Sequence, residues 1–354
     1  MLLAREQRRR NEGSLRWLDL MGGCGIRGLR WALESAVVRP AFTSLHVNDA
    51  DPDRLPFLKS NLKSVPIPVR ITSTPAAMLL ARGFLDGNHF DLIDMDAFGA
   101  PGALIQPALQ TLRFEGILIL SSTDGRSPTG HDRSGAIRSL GSAARAHPSS
   151  WEMALRQQIG LVARQAWMLG LGVQPVVSFS EGRTFRVCLR LRRQLPPDDE
   201  ACLGLIARCD GCGAQAVQPL LRLKDWSPCR CAAGDRRWMI SGPLWIGPLQ
   251  DPVTVDALLD DVLRSSGDWI GPATVRLLQR LQADPGFPAT VWSTDELSRR
   301  LASAGPPPLG QLIRALHAQG HRASPSAVMP GQVRTDADLP ELLQICSSIG
   351  EERI

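Results

Sequence analysis

Residues 173–191 read Val173-Gln-Pro-Val-Val-Ser-Phe-Ser-Glu-Gly-Arg-Thr-Phe-Arg-Val-Cys-Leu-Arg-Leu191. Two apolar runs, 173–180 and 184–191, are joined only by Glu181, Gly182 and Arg183. A parallel crossover needs a dozen or more residues, so strands this close in sequence must pair antiparallel. Along the second run Phe185, Val187, Leu189 and Leu191 face one way, and Arg186, Arg190 and Arg192 the other. Such an arginine face is either solvated or left open for RNA or a second domain.

Upstream of the hairpin the chain alternates. Apolar runs at 15–21, 44–49, 69–73, 90–96 and 116–123 suit buried parallel strands. Helical patterns at 27–35, 52–63, 76–82 and 101–112 lie between them, and a longer one at 151–169 follows a Gly/Ser/Pro-rich loop at 125–150. This alternation predicts a doubly wound α/β sheet with right-handed crossovers. Five parallel strands, a long helix and a closing antiparallel hairpin form the order of a class I methyltransferase (Rossmann-like) sheet. A nicotinamide-binding sheet usually lacks the hairpin. The polar, proline-broken stretch Gln194-Leu-Pro-Pro-Asp-Asp-Glu200 ends this unit. The expected division is therefore a domain over 1–195, a cysteine-rich segment over 196–250 and a smaller α+β domain over 251–354. The last is mainly helical, with patterns at 255–264, 272–282, 294–302 and 309–319.

Composition narrows the class. The 354 residues contain no run of ~18 consecutive apolar residues, the minimum for a membrane-spanning helix. The opening Met-Leu-Leu-Ala-Arg-Glu turns charged at once, unlike an export signal. Eight cysteines in a chain this long do not make a disulfide scaffold, so a reducing cytoplasmic location and a monomer without membrane or obligate protein partner are expected. The formal charge of +5 is modest, but 37 of the 40 basic residues are arginine, the side chain that grips phosphates bidentately and stacks on bases. A GC-rich coding sequence explains the same bias, so composition permits an RNA partner without requiring one.

The first strand runs into Asp19-Leu-Met-Gly-Gly-Cys-Gly-Ile-Arg-Gly28. Gly23, Gly25 and Gly28 give the spacing that lets backbone approach a nucleotide-like ligand. Asp49, ending the second strand 21 residues after Gly28, is placed to accept ribose hydroxyls. NAD and S-adenosylmethionine enzymes share this layout. The fourth strand separates them: Phe90-Asp-Leu-Ile-Asp-Met-Asp-Ala-Phe-Gly-Ala-Pro101 releases an acid and then an aromatic into a Gly/Pro loop. An exocyclic amine conjugated to a base is a poor nucleophile until a carboxylate accepts its N–H. Asp96 is the expected acceptor and Phe98 the residue stacking on an extruded base. Asp94 alternates with Asp96 and so shares its side, in a supporting or cofactor-facing role.

Cys209-Asp-Gly-Cys212 and Cys229-Arg-Cys231 together present four thiols. Four thiolates suit a closed, structural tetrahedral zinc site; unliganded reduced thiols are the other reading. Cys24, Cys188, Cys202 and Cys346 read as small packing residues. The six histidines show no metal or catalytic spacing, and the serines of 121–150 have no His/Asp partnership.

With these residues laid out, nearly the whole chain resembles the tRNA (guanine(26)-N(2))-dimethyltransferase family. The carrying stretches are Leu18-Asp-Leu-Met-Gly-Gly-Cys-Gly-Ile-Arg-Gly-Leu-Arg30, Val47-Asn-Asp49, Asp94-Met-Asp-Ala-Phe-Gly-Ala-Pro101 and Ser122-Thr-Asp124. To these add Pro175-Val-Val-Ser-Phe-Ser180, Gly242-Pro-Leu-Trp-Ile-Gly-Pro248, and Ala323-Ser-Pro-Ser with Val333-Arg-Thr-Asp-Ala337. The resemblance implies transfer of one or two methyls from S-adenosyl-L-methionine to N2 of a tRNA guanine. It implies catalysis by Asp96 and cofactor contacts from Arg27 and Asp49; Asp19, Gly23, Gly25 and Ala76 complete the candidate cofactor set, and Phe98 the catalytic one. It is compatible with a structural zinc on Cys209, Cys212, Cys229 and Cys231.

Three departures leave alternatives open. The family's N-terminal Phe-Tyr-Asn and Asn-Arg-Asp motifs are not found, Ala97 replaces the proline of the catalytic loop, and Thr74-Pro-Ala-Ala77 stands where an acid facing adenine is expected. A non-catalytic tRNA-binding relative is thus the second reading, and another exocyclic-amine methyltransferase the third.

Overall fold

The computed structural model describes residues 1–35, 43–231, 233–265, 270–301 and 305–351. The chain opens with helix α1 (Leu2–Arg10), then strand β1 (Leu15–Asp19) and α2 (Ile26–Ser35). β2 (Thr43–Asn48), α3 (Leu55–Asn61), β3 (Val69–Thr72) and α4 (Ala76–Leu85) follow. Next come β4 (Phe90–Ala97), α5 (Gly102–Thr111), β5 (Leu112–Ser122), α6 (Arg133–Leu140) and α7 (Ser150–Met168). β6 (Gly172–Glu181) and β7 (Thr184–Arg192) form the closing hairpin.

These seven strands make one sheet in the order β3-β2-β1-β4-β5-β7-β6. β1 pairs parallel with β2 and β4, and β5 pairs parallel with β4 but antiparallel with β7. This is the class I methyltransferase arrangement. A parallel sheet must bury both faces. On one, Leu18, Leu118, Leu120, Phe185 and Val187 pack with Leu155, Ile159 and Val162 of α7. On the other, Leu15, Trp17, Leu45 and Val47 form a cluster with Ile119 and Cys188.

The chain continues through β8 (Leu203–Cys209), β9 (Gln215–Pro219), β10 (Cys229–Cys231), β11 (Gly234–Arg236) and β12 (Trp238–Trp245). β12, β8 and β9 form a small antiparallel sheet whose Ile206 and Leu244 pack on Met153 of α7. Then come α8 (Pro252–Arg264), α9 (Pro272–Ala283), β13 (Val291–Ser293), α10 (Thr294–Leu301) and α11 (Leu309–Ala318). β14 (Ala323–Pro325), β15 (Gln332–Thr335) and α12 (Leu339–Glu351) close the described chain. The three short strands form their own sheet, β13-β15-β14, under a cluster that includes Leu312, Leu316, Leu342 and Ile345.

Several expectations change. The loop expected over 125–150 contains α6, capped by Asp132 accepting from Gly135 N–H at 2.8 Å. The arginine face of β7 is neither solvated nor open along its length. Val255, Leu258 and Leu259 of α8 join Cys188 in the core there, and Arg190 is buried. Packing by α8 therefore covers part of that face, and the alternation alone did not tell this from solvent. Cys24 is exposed, so it is not a packing residue; Cys188 and Cys346 are. The helix expected to end at Ala302 is described only to Leu301, since Ala302 lies outside the described residues.

Candidate active site and four-thiol cluster

β1 ends at Asp19, and the turn to α2 carries Gly23 and Gly25 at φ +56° and +81°, conformations that disfavour any side chain. A Cβ at Gly23 would meet no atom within 4 Å, so the turn faces open space that a ligand can fill. Gly23 N–H donates to Asp49 Oδ2 at 2.8 Å, and Asp51 N–H to Oδ1 at 3.0 Å. Asp49 thus caps the β2 edge of the cradle. Beneath it lies Asn48, fully buried, whose amide donates to the carbonyls of Leu20 (3.1 Å) and Thr74 (2.9 Å). Asn48 ties the first three strand ends together. Sequence reasoning named only its neighbour Asp49, although Asn48 stood in the same motif. Ala76 begins α4 just beyond Thr74, half-buried at the third strand end.

Arg27, on the first turn of α2, points back over the strand ends. Its guanidinium donates to Asp19 Oδ1 at 3.0 Å, to the Met21 carbonyl and to Asp96 Oδ2. Its Nε lies 3.9 Å from Asp94 Oδ2. Burial opposes the charge of Arg27, yet Asp19 and Asp94, with a smaller pull from Asp96, outweigh it and raise its pKa. Burial likewise lifts Asp19, and lifts Asp94 to about 7 against the attraction of Arg27. Asp19 Oδ2 and Asp94 Oδ1 are buried without a partner among the described residues. Two unsatisfied acceptors and an open glycine cradle suit an amino-acid-bearing nucleoside sulfonium, whose ammonium donates and whose ribose meets Asp49.

The fourth strand delivers Asp96 at its carboxyl end. Its side chain is 31% exposed. Phe98, two residues on, is fully exposed. The loop between is pinned to the fifth strand: Gly99 N–H donates to Thr123 Oγ1 (2.8 Å), and Ser122 Oγ to the Gly99 carbonyl (2.9 Å). The register continues sideways, with Asp96 opposite Ser121 and Ser121 opposite Arg186. Arg186 Nε donates to Ser121 Oγ at 2.9 Å, and its guanidinium lies 5.9 Å from the Phe179 ring centroid. Arg186 is therefore the one arginine of its face that reaches the strand-end cleft. Alternation grouped it with Arg190 and Arg192, and only the register singles it out.

The four thiols also converge. The Sγ atoms of Cys209, Cys212, Cys229 and Cys231 all lie within 4.8 Å of one another, with Cys212 and Cys229 at 3.5 Å. A tetrahedral zinc with Zn–S of about 2.3 Å places sulfurs about 3.8 Å apart, so the set fits. Burial opposes ionisation of Cys209, but the N–H groups of Cys212 and Gly211 bring it down to about 7. Burial and the neighbouring sulfurs hold Cys229 up at about 12. No other group of three or more possible metal ligands occurs among the described residues.

The sequence pattern of the N2,N2-dimethylguanosine tRNA methyltransferases matches residues 2–347. A tRNA (guanine(26)-N(2))-dimethyltransferase of Pyrobaculum neutrophilum is 31% identical over 261 residues, covering 73% of this chain and 67% of that protein. Its namesake in Methanothermobacter thermautotrophicus is 26% identical, covering 96% and 87%. Trm1 from Pyrococcus horikoshii, solved in complex with S-adenosyl-L-methionine, superposes with a TM-score of 0.81 at 23% identity, covering 97% of this chain and 91% of that one. That likeness speaks to the fold. The end-to-end family match and the relative above 30% identity decide the rest: the chain belongs to the N2,N2-dimethylguanosine tRNA methyltransferase family.

Proposed function

We propose that this chain transfers methyl groups from S-adenosyl-L-methionine to the exocyclic N2 of a tRNA guanine, position 26 being the site its relatives' names specify. The observation that carries the reading is Asp96, partly exposed at the end of the fourth strand, clasped by Arg27 beside the glycine cradle and followed by the bare ring of Phe98. S-adenosyl-L-methionine supplies an electrophilic methyl on a sulfonium. The chain's residues do the rest. Gly23, Gly25, Asp19, Asp49, Arg27 and Ala76 form the cofactor groove. Asp96 accepts the N2–H, which localises the amine lone pair, and takes the proton that N2 loses on gaining a methyl. Phe98 stacks on the extruded base and fixes its approach. Arg27 bridges the two halves, since one guanidinium contacts the groove-floor acid Asp19 and the acceptor Asp96. Cys209, Cys212, Cys229 and Cys231 hold a structural zinc with no position open for chemistry. We assign methyl transfer to residues 1–195 and tRNA binding largely to residues beyond them.

The test is mass spectrometry of nucleosides from tRNA incubated with the protein and S-adenosyl-L-methionine. N2-methylated guanosine is the expected product; its absence, with cofactor bound calorimetrically, would favour a non-catalytic tRNA-binding relative. Asp96→Ala is expected to abolish product while cofactor affinity stays within about tenfold, because the substitution removes an acceptor needed only for transfer. A normal rate in that variant reassigns the base.

A further inference from the structure

The 19 residues from Leu220 to Trp238 leave the small antiparallel sheet, pass through the second cysteine pair and return. They carry Arg222, Lys224, Arg230, Arg236 and Arg237, all exposed, against only two acids, Asp225 and Asp235. None of the five cations has an ion-pair partner among the described residues, and Arg236 reaches only the Ala233 carbonyl, at 3.0 Å. Elsewhere some arginines are spent on carboxylates, as at Arg5, Arg27, Arg156, Arg208 and Arg334. Others, such as Arg70, Arg82, Arg183 and Arg280, stand exposed without an ion pair among the described residues. What marks the lobe is that five such cations fall within 19 residues. Counting Asp210 between the first two cysteines and the double negative charge of four thiolates on a divalent metal, the lobe is close to neutral overall, but its five cations stand exposed and without ion pairs among the described residues. Among them stand two half-exposed tryptophans, Trp226 and Trp238, with ring centroids 6.1 Å apart and Trp238 fixed by Nε1–H donating to the Ser227 carbonyl at 2.8 Å.

The base of this lobe is fixed from two sides. The small sheet packs on α7 of the methyltransferase domain, while Cys212 and Ala214 pack on the C-terminal cluster. Unpaired cations interleaved with aromatics on a rigid mount are what a polyanion with exposed bases requires. Tryptophan and arginine serve protein interfaces as well, and a protein partner would have to bring acidic complementarity; the exposed cations without ion pairs beside two half-exposed indoles match a strand of phosphates with unpaired bases.

We propose that the four-thiol lobe is an RNA-gripping surface, its Arg222, Lys224, Arg230, Arg236 and Arg237 contacting tRNA phosphates while Trp226 and Trp238 stack on unpaired bases. This rests on tRNA being the substrate. It adds that recognition extends to a surface outside both the active-site cleft and the C-terminal domain.

The test is the triple variant R222A/R230A/R237A of the full chain, with unmodified tRNA as ligand across a salt series. Expected are a tRNA Kd raised about tenfold or more and a plot of log Kobs against log salt flatter by about 2–3, each lost phosphate contact accounting for about 0.7–0.9. S-adenosyl-L-methionine affinity and metal content should match the wild type, which separates lost contacts from misfolding. The companion R222K/R230K/R237K should keep the wild-type slope. Wild-type protein that methylates tRNA, together with a triple variant of unchanged Kd and slope, overturns the lobe proposal alone and leaves the surface for a protein. Wild-type protein that neither binds nor methylates tRNA overturns the functional reading as well.

Discussion

Three carboxylates converge on Arg27, and their unequal burial divides their work. Asp19 is fully buried with Oδ1 bonded to Arg27 and Oδ2 without a partner among the described residues, Asp94 is buried with Oδ1 likewise unpartnered, and Asp96 alone reaches solvent. Burial lifts both Asp19 and Asp94, and lifts Asp94 to about 7, close to neutrality, while Arg27 only partly offsets the effect. The ordinary value of Asp94 is 3.8, so between the two values the folded chain holds a proton that the unfolded chain has released. Stability from this group is therefore greatest at low pH and declines as pH rises toward 7. Asp94→Asn should flatten the profile of melting temperature between about pH 4 and about pH 7, relative to wild type. Cofactor binding runs the opposite way, since an ionised Asp94 attracts an ammonium that a protonated one does not. Calorimetric affinity for S-adenosyl-L-methionine should rise with pH through 7 in the wild type and lose that dependence in Asp94→Asn. An unchanged dependence in the variant would remove Asp94 from the cofactor's surroundings.

At the scale of elements, the parallel strands and the hairpin were legible because buried strands are apolar and short turns admit one pairing. The expected run 184–191 is β7 over Thr184–Arg192, and 90–96 is β4 over Phe90–Ala97. β10, β11 and β13–β15 were not legible, because strands of three or four residues carry no periodicity, and the longer β8, β9 and β12 lie in the stretch read only for its cysteines. Nor was the join between domains, which depends on a buried ion network of widely separated residues. Arg334 on β15 donates to Glu152 Oε2 of α7 at 2.6 Å and to Asp284 Oδ1 beyond α9 at 2.6 Å, and all three side chains are nearly inaccessible. Burial opposes the charge of Asp284, but Arg334 and the Ala327 and Gly286 N–H groups lower its pKa below the usual value. Its stabilisation is present above the unfolded value near 3.9 and is lost as pH falls through the depressed native one. Removing one member leaves buried charge uncompensated, so Arg334→Ala should destabilise the protein by about 3–5 kcal/mol in denaturant unfolding. A loss under about 1 kcal/mol would mean that water replaces the guanidinium at little cost.

Across the whole molecule, the methyltransferase sheet holds the groups proposed to bind cofactor and react. Asp19, Arg27, Asp49, Asp94, Asp96 and Phe98 all lie on or just beyond its strand ends or at the start of α2, and among the described residues none makes a hydrogen bond or ion pair to the four-thiol lobe. The lobe instead touches the C-terminal domain, where Arg208 beside it pairs with Glu296 of α10 and Cys212 joins the α10–α12 core. Metal loss should therefore separate two properties that a single compact unit would lose together. Without the proposed ion, Cys209 and its neighbours are adjacent thiols whose partial ionisation repels, and the lobe keeps only the β10–β11 pairing and the tryptophan contacts to hold it. Treating the protein with a zinc chelator is expected to lower tRNA affinity by about tenfold or more and reduce the melting temperature. Calorimetric affinity for S-adenosyl-L-methionine should stay within about twofold, because the glycine cradle rests on Asn48 and Asp49 rather than on the lobe. Equal loss of cofactor and tRNA binding would show that the cradle depends on the metal through the α7 contact. Cofactor binding that survives while tRNA binding fails would fix the lobe as a recognition element mounted on an independently folded catalytic sheet.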